Sequence, residues 1–498
     1  MDHWMLVGLG YALQPGNIAV MVLGVLIGMI FGATPGLSGA SAMTMLLPLT
    51  FLFPAQTGVL FLLAIWNAAV YAGSIPSILI NIPGTAAAAA TAIEGHLLAR
   101  RGLARRALRG SIVGSTIGGI AAAASLLYMS PPLAKLSLLF GPAEMFSFAL
   151  FGMATVVSLS SGSLLRGLIG ALIGLAMATV GFAPDGSERF VFTPDFLDGF
   201  PLIPTLVGMF TIPVVLNLVL EQRSQIAGDI SSLKNADSFL LNLSDWAKHW
   251  FNIVRSAVIG VVVGVLPGTG PTIAAFVSYG EARRSAKPPH EFGKGDVAGV
   301  LASETANNAA VFSSLVPAIT LGIPGSVDAV IILAALTMHG LMPGPTLFDR
   351  SPQIVYTVFM GAFVTNFIML VVGLVGAKHI AQFTRIRLSL LVPVILTLGL
   401  LGAYSVHNNM FDVFLALGVG LFGFVLHRFG ISLAALILGL ILGDILEVQF
   451  FQAVTLYNNA WQAFVERPIS LLFILLALAS IVYSLRKDYR ERRARAHG

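Results

Sequence analysis

Long uninterrupted apolar stretches alternate along this chain with short polar loops that carry most of its charge. The clearest apolar runs are Leu108–Ser130, Ala143–Leu159, Leu164–Phe182, Ile354–Gly376 and Ile469–Leu485, close to the roughly 17–25 residues that an α-helix needs to cross a hydrocarbon core. Lipid offers no hydrogen-bond partner to a free backbone, so the pattern predicts helices. The fold class it implies is an all-α, polytopic membrane protein.

Composition sharpens this reading. Of 498 residues, 56% are hydrophobic and 10% charged, against roughly 25% charged in an ordinary soluble domain. That excludes a soluble globular protein. The 52 glycines cluster inside the apolar segments, where small residues let helix backbones approach closely. There is no cysteine, hence no disulfide and no thiolate metal site. The net charge of +5 concentrates in Arg100–Arg109, Arg283–Lys294, Lys378–Arg387 and Arg486–Arg495. On a membrane protein such clusters mark cytoplasmic loops and not a nucleic-acid surface. Met1–Gly16 lacks a basic n-region and a small-residue cleavage site, so the first hydrophobic segment is expected to drive insertion itself.

Two motifs recur in the same order. Gly28 to Gly36 and Gly260 to Gly268 share the pattern G-x3-G-x2-P-G. The pattern N-A-A-V-x5-P-x6-P-G-[TS] occurs at Asn67 to Thr85 and again at Asn308 to Ser326. The chain therefore reads as two homologous halves. The first, 1–225, holds a hairpin at 17–53 and a broken helix at 57–100. A polar connector spans 226–250. The second half, 251–498, holds a hairpin at 252–281, a broken helix at 297–340, a C-terminal helix at 469–486 and a basic cytoplasmic tail.

Loop charge orients the halves oppositely. After the second motif the first copy runs into Arg100, Arg101, Arg105, Arg106 and Arg109, whereas the second copy has only Arg350 as a base between Met342 and Gln353. Between the motifs the bias reverses: Thr50–Thr57 is uncharged and Glu281–Asp296 carries Arg283, Arg284, Lys287 and Lys294. Equivalent loops on opposite sides of the membrane are the signature of an inverted-topology repeat. Counting crossings then requires Asn252–Glu281 to leave and re-enter on one side. Each arm of about 14 residues reaches about 21 Å, short of a roughly 30 Å core. Re-entrant helical hairpins follow, with the N-terminus periplasmic and the C-terminus cytoplasmic. The alternative is a single broken full span at Asn252–Glu281 with parallel halves.

Proline removes an amide donor and clashes with the preceding turn, so helices are expected to break near the midplane at Thr34–Gly39, Asn81–Thr85, Pro267–Pro271 and Gly322–Ser326. Such breaks are tolerated only where protein or a water-filled cavity surrounds them. Four of them meeting about a pseudo-two-fold axis would form one site, with unwound carbonyls for a cation and helix N-termini for an anion. The candidate substrate-binding residues are Thr34, Pro35, Gly36, Leu37, Ser38 and Gly39; Asn81, Gly84 and Thr85; Pro267, Gly268, Thr269 and Gly270; and Gly325 and Ser326. In the bland reading the glycines and hydroxyls only permit tight packing. Asn67 and Asn308 occupy the same repeat position inside apolar helices, as structural hydrogen-bonding groups or as cation ligands. Asp328 follows the second Pro-Gly by three residues and either binds a coupling cation or caps its helix. Glu304 and Glu94 are the other intramembrane carboxylates.

The chain has no H-E-x-x-H, G-x-S-x-G or Walker sequence and no histidine pair at metal-ligand spacing. No enzymatic activity and no cofactor are expected, and transport would draw on an ion gradient or the membrane potential.

The motifs A-T-P-G-L-S-G at Ala33–Gly39, N-I-P-G-T at Asn81–Thr85, G-V-L-P-G-T-G-P at Gly264–Pro271 and G-I-P-G-S at Gly322–Ser326 resemble the large membrane subunit of the tripartite tricarboxylate transporter family. The resemblance covers essentially the whole chain. It implies a small membrane subunit of about four helices, a periplasmic solute-binding protein, an organic carboxylate such as citrate as substrate, and uptake coupled to a cation, sodium foremost, across the bacterial inner membrane. An elevator-like mechanism and a homodimer follow by analogy. No Arg or Lys lies in the four breaks, which leaves monocarboxylates and aromatic acids open as substrates. A standalone ion-coupled carrier and a channel are the alternatives.

Overall fold

The computed structural model describes residues 2–159, 164–220, 248–268, 270–288, 290–383, 388–457 and 459–496. Thr269, nearly all of the 226–250 connector and part of the 378–387 basic loop lie outside the described residues. Helices dominate. Among the described residues eight are long and apolar enough to cross a membrane, and the strands are one two-residue pair, Gly181–Phe182 with Glu188–Arg189.

The first motif in each half builds a pair of antiparallel helices. Pro15–Ala33 is followed by Gly39–Leu46 and a 3-10 turn at Leu47–Leu52; Trp250–Val265 is followed by Gly270–Arg284. Each pair returns to the end from which it started. Thr57, just past the first pair, donates to Asn17 near its beginning at 2.7 Å. In the second pair Arg255, near the start, donates to Ser285 just past the end.

The second motif builds the broken helices. Ala55–Ala72 steps at Gly73 into Ser74–Ile80, and Val297–Ser313 steps at Ser314 into Leu315–Leu321. Pro76 and Pro317 stand third in these short segments, where the amide of a first turn has no intrahelical partner to lose. The full interruption comes later, at Asn81 and Gly322. Beyond it the chain resumes as Ala88–Arg100 and Val327–Met338.

These two units run antiparallel past each other. The start of the first lies at the end of the second, where His339 Nε2 meets Thr50 Oγ1 at 3.1 Å and a Cβ on Gly58 would sit 3.2 Å from the same nitrogen. The start of the second lies at the end of the first, where a Cβ on Gly299 would press on Glu94. There the Glu94 carboxylate, itself fully buried, accepts the Tyr279 hydroxyl at 2.9 Å and the amides of Gly293, Gly295 and Asp296. That contact folds the 285–296 loop back over the bundle.

Glycine makes the close crossings possible. A side chain on Gly28 or Gly32 would overlap the carbonyls of Ile65 and Ala69, and one on Gly260 or Gly264 would strike Ala306 and Ala310. The spaced glycines of the first motif are thus the seam on which each hairpin packs against its own broken helix.

Long helices surround this centre. Ala104–Ser137, which passes through Pro131 and Pro132 before ending, packs on Val297–Ser313 and on Pro352–Phe383; the latter also packs on Ala55–Ala72. Leu164–Ala178 pairs with Leu433–Tyr457, and Leu202–Leu220 with Met410–Arg428. Pro142–Leu159 lies against the last helix, where Arg467 and Glu144 form an ion pair. A short helix absent from the expected elements, Asp2–Ala12, rests on Pro352–Phe383.

One expected boundary is corrected. The last helix is Pro468–Ala496 rather than 469–486 followed by a tail. Charged residues favour helix as readily as leucine once the chain has left the hydrocarbon, so the basic segment extends the span. Its lipid-facing character shows in the exposed Leu472, Leu475, Leu478 and Val482.

Because the chain has no cysteine, single cysteines report sidedness cleanly. With the charge bias setting orientation, Leu52→Cys is expected to react with a membrane-impermeant maleimide on intact cells, and Lys287→Cys only after permeabilisation. Reaction of both from one side would overturn the opposed placement of the two loops.

Candidate functional site

Each break is a tight turn followed by a new helix N-terminus. At the first, Leu37 N donates to Thr34 O at 3.1 Å and Gly36 has φ 91°, a Pro-Gly turn with glycine at its left-handed corner. At the third, Gly268 has φ 78° in the matching place. The second and fourth breaks begin with left-handed helix caps, Asn81 at φ 57° and Gly322 at φ 72°. Asparagine is the side chain that tolerates this conformation best after glycine. Asn81, itself exposed, therefore has a backbone reason for its identity.

The breaks lie against one another. Gly268 N donates to Gly325 O at 2.9 Å, Gly325 N to Ser314 O at 3.2 Å and Gly84 N to Gly73 O at 3.1 Å. A Cβ on Gly84 would overlap the Gly32 carbonyl, one on Gly270 would stand 3.9 Å from the Ser326 Cβ, and one on Gly39 would stand 3.9 Å from Asp328 Oδ1. Ala87, Ala90 and Ala275 pack together, closing the contact between the second and third breaks. The helices that start here are Gly39–Leu46, Ala88–Arg100, Gly270–Arg284 and Val327–Met338.

Several hydroxyls offered by the sequence are already engaged. Ser38 accepts from Ser41 N at 3.1 Å and Ser326 from Ala329 N at 3.2 Å, so both are N-caps, while Thr85 accepts from Ala88 N at 3.4 Å two residues before the cap position, Ala87. Thr34 Oγ1 donates back to Ile30 O at 2.7 Å. Leu37 and Pro267 are buried, whereas Pro35 is half-buried and Gly36 exposed. Since Ser326 is the cap, Asp328 stands in the first turn with its carboxylate toward Gly39, and no other side chain among the described residues pairs with it.

Asn67 and Asn308 face the long helices and not the breaks. Asn67 Nδ2 donates to Asn366 Oδ1 at 3.1 Å, and Asn366 in turn lies directly on Gly119. Asn308 Nδ2 donates to the Glu304 carbonyl at 3.1 Å on the helix face that packs over Gly114 and Gly118. The freed backbone of a break is the partner of neither amide.

Three buried side chains, the first of them beside a break, escaped sequence reasoning. Trp66, whose Cδ1 would be 3.8 Å from a Cβ on Gly39, is buried with its indole N–H unpartnered. Asn307, one residue before the repeat asparagine as Trp66 is before the other, has both amide atoms buried and unpartnered. Asn366 belongs to neither motif. The doubled position Trp66/Asn307 was available as a signal, because it sits beside the repeated asparagine in both copies.

Two cavities open at opposite ends. One of about 530 Å³ is lined by Phe51, Asp195, Asp198, Thr337, His407 and Asp412. The other, of about 540 Å³, is lined by Arg101, Arg106, Lys248, His290 and Asp296. The first lies at the end of Val327–Met338 remote from the breaks, and the second at the end of Ala88–Arg100.

Comparison with known proteins supplies a family. The model of the tripartite tricarboxylate transporter TctA family matches residues 18–438. An uncharacterized 52.8 kDa protein in the TAR-I ttuC' 3' region of Agrobacterium vitis is 33% identical over 488 residues, 98% of this chain and 96% of that protein. A protein in the TAR-II ttuC' 3' region of the same organism is 33% identical over 234 residues, covering 47% of this chain and 97% of its own length. No solved structure matches.

If Asn81 serves the backbone, Asn81→Gly is expected to leave thermal stability in detergent and transport unchanged, while Asn81→Val loses about 1–2 kcal/mol. Loss of transport in Asn81→Gly with unchanged stability would make Asn81 a ligand instead.

Proposed function

The chain belongs to the tripartite tricarboxylate transporter TctA family, and on that premise we propose that it is the large, substrate-translocating subunit of a binding-protein-dependent, cation-coupled secondary transporter for tricarboxylates or related organic carboxylates. It works in the bacterial inner membrane with a small membrane subunit and a periplasmic solute-binding protein, and sodium is the coupling ion that the family resemblance implies.

The observation that carries this reading is the convergence of four helix N-termini on one another with no Arg or Lys among them. Free amides at a helix start and the aligned peptide dipoles favour an anion there. With Ser38 and Ser326 engaged as caps and Thr85 bonded to Ala88 N, backbone amides and the unpartnered indole N–H of Trp66, whose ring lies beside Gly39, are the donors left for a carboxylate. Asp328, beside Gly39, supplies the one negative side chain and is the place for the coupling cation. That cation in turn offsets the substrate's charge.

Two inverted repeats account for the antiparallel broken helices and for the exchanged pairing of Leu164–Ala178 with Leu433–Tyr457 and of Leu202–Leu220 with Met410–Arg428. In the elevator-like mechanism we propose, the hairpins and broken helices move as a body, because glycine seams bind each hairpin to its own broken helix. The long outer helices form the scaffold. The cavity at Phe51 and His407 is then the periplasmic approach, and the one at Arg101 and His290 the cytoplasmic exit.

Uptake of labelled citrate and other carboxylates into vesicles decides the matter. Saturable uptake that needs both a sodium gradient and the cognate binding protein is expected. Asp328→Asn should reduce it about tenfold or more, the loss of one charge-assisted contact. Uptake independent of sodium and of the binding protein would sink the tripartite reading, and non-saturating flux without any gradient would indicate a channel.

A further inference from the structure

The carboxylates buried in this bundle have different kinds of partner. Glu94 accepts three backbone amides and a tyrosine hydroxyl, Glu144 pairs with Arg467, and Asp412 with His407. Amides and cations suit an anion alone. Glu304 is different. It lies on Val297–Ser313, entirely buried, and its side-chain partners are hydroxyls: Thr91 from Ala88–Arg100 and Ser115 from Ala104–Ser137, the latter at 2.9 Å. Thr91 also meets Ser303 Oγ at 3.0 Å.

A hydroxyl donates to a carboxylate and, by turning about its C–O bond, accepts from a carboxylic acid. The Glu304 shell can therefore satisfy both protonation states without moving a backbone atom. Nothing nearby holds the anion by charge. The ionisable groups on the elements packed against it are Tyr71 on Ala55–Ala72; Glu94, His96 and Arg100 on Ala88–Arg100; Tyr279, Glu281, Arg283 and Arg284 on Gly270–Arg284; Arg105, Arg106, Arg109, Tyr128 and Lys135 on Ala104–Ser137; and Arg255 on Trp250–Val265. Tyr279 is committed to Glu94, Arg255 to Asn252 and Ser285, and none of these groups forms an ion pair with Glu304. An unpaired anion at such a place is expensive enough that the group exchanges a proton instead.

The fold does not require a carboxyl group here. In the register that aligns Asn67 with Asn308, the positions of Glu304 and Thr91 are filled in the other half by Leu63 and Ile332, both buried. Glu304 stands about 10 Å along its helix from Val297, which lines the cavity at the basic end.

We propose that Glu304 is a proton-carrying site and that a proton moves with the carboxylate in each transport cycle. The carboxyl group takes the proton from water on one side of the membrane and returns it to water on the other, in addition to any cation at Asp328. This rests on the transport reading, but the site itself can be tested without it.

Infrared difference spectra of the purified protein titrated between about pH 5 and pH 9 are expected to contain a protonated-carboxyl band that Glu304→Gln removes and Ser115→Ala shifts. Spectra of Glu304→Gln identical to wild type would overturn the proposal. In proteoliposomes of the full complex held under a fixed inward sodium gradient, adding an inside-alkaline gradient should raise the accumulation of labelled citrate by wild type. Glu304→Gln should abolish that rise yet keep measurable citrate exchange, which shows that it is folded. A wild-type response of the variant to the proton gradient would also overturn the proposal. If wild type moves none of a panel of carboxylates, the transport reading fails, and the infrared arm still decides whether Glu304 binds a proton.

Discussion

Everything at the centre of this protein follows from one constraint: a helix interrupted inside a membrane frees amides and carbonyls that lipid cannot satisfy. An unpaired buried backbone group costs on the order of 1–3 kcal/mol, so each interruption has to meet another part of the protein. Here the interruptions meet one another and the steps that precede them. Gly268 bonds Gly325, Gly325 bonds Ser314 and Gly84 bonds Gly73, the caps Ser38 and Ser326 take up first-turn amides, and Thr85 takes the amide of Ala88. Convergence of the breaks is thus a condition of stability before it is a device for binding. Glycine is required at these contacts because the partner is often a backbone carbonyl, which cannot move aside for a methyl group.

The scaffold recurs in both halves but the chemistry does not. Ala87 stands where Asp328 stands in the other half, Leu63 where Glu304 does, and Trp66 where Asn307 does. Backbone requirements, in contrast, recur: Gly36 with Gly268, Asn81 with Gly322, Thr85 with Ser326. A frame whose motifs recur keeps what the backbone demands and is free to differ where it demands nothing. The carboxylates Glu304 and Asp328 both fall in the second half, which gives a nearly symmetric frame a chemical polarity.

Much of this was legible in the sequence. Hydrophobic period and length showed helices, and Pro-Gly pairs inside apolar runs showed where they break, because a missing amide and a left-handed corner are local properties. What the sequence could not weigh was competition for the same hydroxyl. Ser38 and Ser326 looked like free ligands, yet the helix starts that make an anion site need caps, and the adjacent serine supplies them. Partners distant in the chain were equally hidden: Asn67 finds Asn366, and Glu304 finds Thr91 and Ser115, across separations that no local pattern encodes. The prolines at 76 and 317 step their helices without ending them, since a proline in a first turn has no intrahelical amide bond to lose.

The engagement of the hydroxyls bears on selectivity. A site that held a tricarboxylate through serine and arginine side chains would read the number and spacing of its carboxylates, since each contact would have a fixed direction. Helix N-termini act differently: their amides and dipoles favour negative charge within about one turn and decline beyond it. A frame of this kind grips one carboxylate well and leaves the rest of the molecule to be recognised elsewhere. Since no Arg or Lys enters the breaks, the proposed transporter would leave discrimination among carboxylates to whatever presents the substrate, and charge balance to accompanying cations. The absence of basic side chains from the breaks and the placing of Glu304 and Asp328 in the second half are, on the proposed reading, two sides of one arrangement, in which the anion would be held by what travels with it.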